Sequence, residues 1–149
     1  MLRLILAVLI LSAVPALGQQ APEDVDARID SVLGNHLPYE AAFVDLRAAV
    51  EAKNVDALAA LIAYGAPIFL NGEQVTLADE AEFKARVAEF FTEEVKAAVM
   101  AQTYETLFVN ADGIMFGTGQ LWLGGTCKDE SCADPAVKII AINTAKGNG

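Results

Sequence analysis

Ile114-Met115-Phe116-Gly117-Thr118-Gly119-Gln120-Leu121-Trp122-Leu123 ends the helical periodicity of the chain before it and begins another pattern. Short apolar runs set off by glycine and turn residues are the mark of strands. The run has company on both sides, Leu107-Phe108-Val109 with the turn pair Asp112-Gly113 before it and Val137-Lys138-Ile139-Ile140-Ala141-Ile142-Asn143 after it. From Tyr104 onward the expectation is an antiparallel meander. Gly117 and Gly119 interrupt its middle strand, and glycine inside a strand predicts a bulge or bend that curves the sheet.

A sheet with one wet face alternates apolar and polar residues. These strands do not: Met115 is as apolar as Ile114 and Phe116, Trp122 as apolar as Leu121 and Leu123, and Ile139 to Ile142 contains no polar residue. Both faces therefore need cover. Helices can cover one, and the other calls for the N-terminal helix or a second copy of the chain, so a homodimer packed through its sheets is expected.

Upstream the period is helical. Pro38 to about Ala52 places Phe43, Leu46 and Val50 on one face, with Glu40, Asp45, Arg47 and Glu51 elsewhere. Asn54 can cap a further helix that turns Leu58, Leu61 and Ile62 inward and ends near Gly65. Before these, Val25, Ile29, Val32 and Leu33 recur at helical spacing behind Pro22, so residues 19–37 form either a short helix or a flexible lead-in. Asn71-Gly72, between Ile68-Phe69-Leu70 and Glu73-Gln74-Val75-Thr76-Leu77, signals a hairpin. Asp79 and Glu82 fit a capping box ahead of Phe83, Val87 and Phe90, and Thr92 reads as a second cap, which predicts a break there.

Met1 to Gly18 carry Arg3, an unbroken apolar run from Leu4 to Leu11 and the small-residue site Ala16-Leu17-Gly18, the pattern of a cleaved secretory signal. The run is about half of what spans a bilayer, and no cysteine follows the cut, so no membrane anchor is expected. Removal of residues 1–18 leaves 131 residues, enough for one domain with its own core. Nine Lys and Arg then stand against 20 Asp and Glu, and the formal charge moves from -10 to -11. Such a chain repels phosphate backbones, which argues against nucleic acid as a partner. A periplasmic or secreted location follows, with residues 144–149 as a tail.

Cys127 and Cys132 are the only two cysteines. In an oxidising compartment a disulfide is the expected outcome. A closed zinc site takes about four ligands, and the single histidine, His36, lies far off in sequence, so no metal is assigned.

The element order resembles the nuclear transport factor 2-like, or SnoaL-like, superfamily, and small secreted bacterial members of unknown function in particular. The resemblance rests on Phe43-Val44-Asp45-Leu46, Asn71-Gly72, Leu107-Phe108-Val109-Asn110, the segment Gly117-Thr118-Gly119-Gln120-Leu121-Trp122, and the ending Lys138 to Asn143. It covers residues 38–143 and implies an α+β, cone-shaped cystatin-like fold, with N-terminal helices packed on a curved antiparallel sheet. It also implies a pocket between sheet and helices, which members use for isomerisation, hydrolysis, dehydration or binding. Fold does not choose among these, and no catalytic residue carries over.

His36 is the one side chain that titrates near neutrality, but its place in an interhelical loop favours a surface or capping role. Asp45 and Asp56 lie off the apolar faces of their helices and read as solvated. Trp122 is the better binding candidate, an indole beside glycines that permit close approach. Tyr64 and Tyr104 sit at element ends, where a hydroxyl can reach a pocket mouth. No signature of a serine hydrolase, zinc protease, phosphate loop or dinucleotide fold is present, and no cofactor is assigned. The expectation is an exported, non-catalytic binding protein for a small hydrophobic molecule or a peptide. The alternatives are an isomerase or dehydratase using a pocket carboxylate, and a protein-interaction module with a packed core.

Overall fold

The computed structural model describes residues 22–127, 129–132 and 135–144, so the expected signal peptide and residues 145–149 of the expected tail lie outside the described residues. In chain order the elements are α1 (Pro22–Leu33), α2 (Leu37–Glu51), α3 (Val55–Ala59), β1 (Pro67–Leu70), β2 (Glu73–Thr76), α4 (Glu80–Phe90), α5 (Glu93–Ala101), a 3₁₀ turn (Tyr104–Thr106), β3 (Phe108–Asn110), β4 (Gly113–Phe116), β5 (Leu121–Thr126) and β6 (Ala136–Ile142). The protein is α+β. Its strands form one open six-stranded sheet in the order β2-β1-β6-β5-β4-β3. All pairings are antiparallel except that of β1 with β6.

The hairpin between β1 and β2 turns on Asn71 and Gly72 at φ 52° and 83°. These are the two positive values that a two-residue hairpin loop demands. Asn71 also holds the far end of the sheet. Its backbone N–H donates to the Ile142 carbonyl at 2.9 Å, and its side-chain oxygen accepts from the Thr144 backbone N–H at 2.8 Å.

Side-chain caps set the helix starts. Asn54 accepts from the Ala57 N–H at 3.1 Å, Asp79 from the Glu82 N–H at 2.9 Å, and Thr92 from the Val95 N–H at 3.4 Å. Glu82 reciprocates by accepting from the Ala78 N–H at 2.8 Å. The helical stretch breaks at Thr92, where a new cap restarts it.

Two expectations are corrected. The helix after Asn54 stops at Ala59 rather than near Gly65. Leu61 and Ile62 leave it to run beside β6, where the Ile139 N–H donates to the Leu61 carbonyl at 2.8 Å and Ile62 bridges Ile139 in parallel. Sheet hydrogen bonds there win over weak local helical preference. Nor do Gly117 and Gly119 bend a strand; they form the turn between β4 and β5, at φ 64° and 111°. The irregularity lies at Trp122 and Leu123, which pair with Ala141 and Ile139 and leave Ile140 as the extra residue of a bulge.

The core fills the space between helices and sheet. Phe116, Ile114, Leu121, Leu123, Ile139 and Ile142 are fully buried on the inner face, under Leu46 of α2, Phe83 and Phe90 of α4, and Val95 and Val99 of α5. α1 docks through fully buried Val25 and Ile29, against the 3₁₀ turn and β3. Residues 22–33 are thus a packed helix. No helix among the described residues is long and apolar enough to cross a membrane.

Candidate functional site

Strand register brings five apolar side chains into one row across the sheet. Phe69 pairs with Ala141, Ala141 with Trp122, Trp122 with Met115, and Met115 with Phe108. Their neighbours along each strand, such as Ile68, Val109, Ile114, Leu121 and Ile142, are buried against the helices. By the alternation of strand side chains, the row therefore points away from the core. Phe69 and Phe108 at its ends are 44% and 50% exposed, and Met115, Trp122 and Ala141 are half-buried. The bulge adds half-buried Ile140 beside the row. Pro67, Phe69, Asp112, Trp122, Ile140 and Ala141 line a shallow depression of about 440 Å³ on this face. Helix α1 packs by its own apolar stripe at β3 and leaves the row open.

A second constellation joins α1, the loop after it and the 3₁₀ turn. Tyr104 donates its hydroxyl to Asp26 at 2.8 Å. The His36 ring nitrogen Nδ1 meets Asp30 Oδ1 at 2.8 Å, its backbone N–H donates to the same oxygen at 2.7 Å, and Nε2 faces Asp26 at 3.9 Å. The Asp30 hydrogen bond is the main influence holding the His36 pKa above its ordinary value, and the same bond lowers that of Asp30. Burial, then the bond to Asp26, pushes the Tyr104 phenol upward, so it keeps its proton. The Tyr104 ring packs edge-on against Phe43 at 5.4 Å. Tyrosine and histidine thus fasten α1 to the domain; His36 stands at the N-cap position of α2 but makes no side-chain capping hydrogen bond there, its ring being turned back to Asp30.

The three aromatic binding candidates are engaged in different parts of the fold. Trp122 stands in the outer row, Tyr104 is bonded to Asp26, and Tyr64 donates to the Ala59 carbonyl at 2.9 Å. Asp45 is exposed, and Asp56 pairs with Lys84 at 2.5 Å. The carboxyls of Asp30 and Glu93 are held below their ordinary values, each mainly through a hydrogen bond to a basic neighbour. The cysteine pair is joined: Cys127 and Cys132 are disulfide-bonded with Cα atoms 4.7 Å apart. No group of three or more His, Cys, Asp and Glu placed to hold a metal ion occurs among the described residues.

Gln102 is a residue that sequence patterning does not reveal. Nearly buried, it donates to the Thr103 carbonyl and Thr106 hydroxyl at 2.9 Å each and accepts from the Gly117 N–H at 3.0 Å, while its carbonyl accepts from Arg47. It ties the end of α5 to the β4–β5 turn. A lone glutamine after a helix carries no motif by which to find it.

Comparison of the chain with protein-family models, curated proteins and solved structures found no match in any of the three. The reading of its function therefore rests on its own geometry.

Proposed function

We propose that this chain is an exported, non-catalytic binding protein that works as a homodimer joined through the outer faces of its sheets, on the cone-shaped fold of the nuclear transport factor 2-like superfamily. The order of helices, hairpin, helices and meander supports the fold, and the Cys127–Cys132 bond supports the oxidising compartment.

The observation that carries the reading is the open apolar row from Phe69 to Phe108. Apolar patches of this kind on a sheet mark contact surfaces, and a two-fold axis lets one self-complementary patch serve both copies. Two chains of formal charge -10 repel each other, and the approach is easiest where no side chain of the meeting surface is charged. The five side chains of the row are uncharged, with Asp112 at the edge of the depression beside them. Phe83, Phe90 and Phe116 are fully buried under the helices, which supports binding in surface grooves rather than in the interior.

Light scattering and native mass spectrometry of the mature protein at micromolar concentration test this. A dimer is expected, and Phe69→Lys together with Phe108→Lys, both at exposed positions, yields a folded monomer. A monomeric wild type overturns the proposal.

A further inference from the structure

A groove of about 410 Å³ lies on the helical side, away from the sheet row. Its floor is apolar, made by Val50 of α2, Leu58 of α3 and Phe91 after α4, all of them buried. Its rim carries Lys53, Lys96 and Glu93. Lys96 pairs with Glu93 at 2.7 Å, and Lys53 acts on the same carboxylate from farther off, helping to hold its pKa down. Two ammonium groups share one carboxylate, which leaves a positive excess at the mouth of an apolar groove on a protein of net charge -10. Lys53 also occupies φ 52°, a conformation in which glycine or asparagine is the ordinary choice.

We propose that this groove binds a small apolar molecule carrying a single carboxylate, with its chain against Val50, Leu58 and Phe91 and its charge at Lys53. The volume falls within the range of small-molecule sites. An apolar floor supplies the binding, and the ammonium distinguishes an acid from the matching alcohol or amine. The site does not depend on the sheet face, so monomeric and dimeric protein both bind.

Calorimetric titration of the intact mature protein with decanoate, below its micelle-forming concentration, tests the proposal, with decanol as the uncharged comparison. Saturable one-to-one binding of decanoate is expected. Ala88→Phe, at an exposed lining position of α4, fills the groove and abolishes it. Lys53→Gly, which suits the local backbone, weakens decanoate about fivefold while leaving decanol unchanged. No saturable binding by wild type overturns the proposal, as does decanoate binding that Ala88→Phe leaves intact. Equal effects of Lys53→Gly on decanoate and decanol overturn the assignment of the carboxylate to Lys53.

Discussion

Phe108 and Trp122 meet edge to face on the outer surface of the sheet, with ring centroids 6.1 Å apart and planes at 86°. They lie on β3 and β5, in line with Met115 on the strand between. Edge-to-face pairs of this kind contribute about 1 kcal/mol beyond their buried area. Here the pair lies at the exposed end of the outer row, where Phe108 is 50% exposed.

Trp122 is the single tryptophan, which makes its fluorescence a direct report on that surface. If two copies meet there, its emission shifts to shorter wavelength and resists acrylamide quenching as concentration rises through the dimerisation range. The Phe69→Lys, Phe108→Lys protein should show neither change. Concentration-independent emission in the wild type would place Trp122 outside any interface.

The link between Asp26 and Tyr104 makes α1 docking sensitive to pH through its neighbours. His36 is faced by Asp26 and Asp30 of α1 and, at longer range, by Glu40 of α2. Its pKa is raised from 6.5, so its contribution is complete below that value and is lost as pH rises through the elevated one. Asp30 is lowered from 3.8, so its contribution is complete above that value and is lost as pH falls through the depressed one. Docking of α1 is therefore firmest between the two ordinary values and loosens on the alkaline side. Amide exchange across Val25–Leu33, corrected for intrinsic rate, should show more frequent opening at about pH 8.5 than at about pH 5.5. His36→Asn should flatten that difference. Tyr104→Phe should loosen α1 at both pH values, by about 1 kcal/mol for a lost hydrogen bond.

The disulfide closes a short loop between β5 and β6, with a sequence separation of 5. On the chain-entropy account its loss costs about 2 kcal/mol, and the β5–β6 ladder continues to hold both strands. Cys127→Ser with Cys132→Ser should fold, with a lower urea midpoint and an unchanged oligomeric state. Alkylation of unreduced wild type should add no label to either cysteine, and two labels would refute the bond.

The elements that the sequence announced are those with local chemistry. Asn71-Gly72 specifies its turn through backbone freedom, Asp79 and Thr92 specify their helix starts by capping, and the non-alternating strands at Met115 and Trp122 announce an apolar outer face. What escaped is what depends on distant partners. The end of α3 is decided by Ile139, 78 residues after Leu61 in the chain. The bulge at Ile140 exists only because β5 and β6 pair in one register. Tyr104 stands out at an element end, yet its partner Asp26 lies 78 residues earlier, in a segment whose sequence fits a short helix or a flexible lead-in, so the bond between them leaves no local trace.

Gly113, the first residue of β4, and Gly119, in the turn after it, both have positive φ, 152° and 111°, but differ in what a side chain would meet. A Cβ on Gly113 would lie 2.0 Å from the Leu123 carbonyl oxygen and 2.9 Å from its carbon. That carbonyl belongs to a strand in mid-sheet and cannot yield. On Gly119 the nearest atoms, Trp122 Nε1 and Met115 Sδ, would be 3.9 and 4.0 Å away, and only φ 111° opposes a side chain. Gly113→Ala should therefore cost about 4 kcal/mol and Gly119→Ala about 1 kcal/mol, as read from urea unfolding. Gly113 also begins the strand that carries Met115. If two copies meet at that row, its alanine variant should lose the dimer at a urea concentration where the Gly119 variant keeps it, and equal midpoints for the two would mean that β4 and β5 do not approach as closely as the sheet requires.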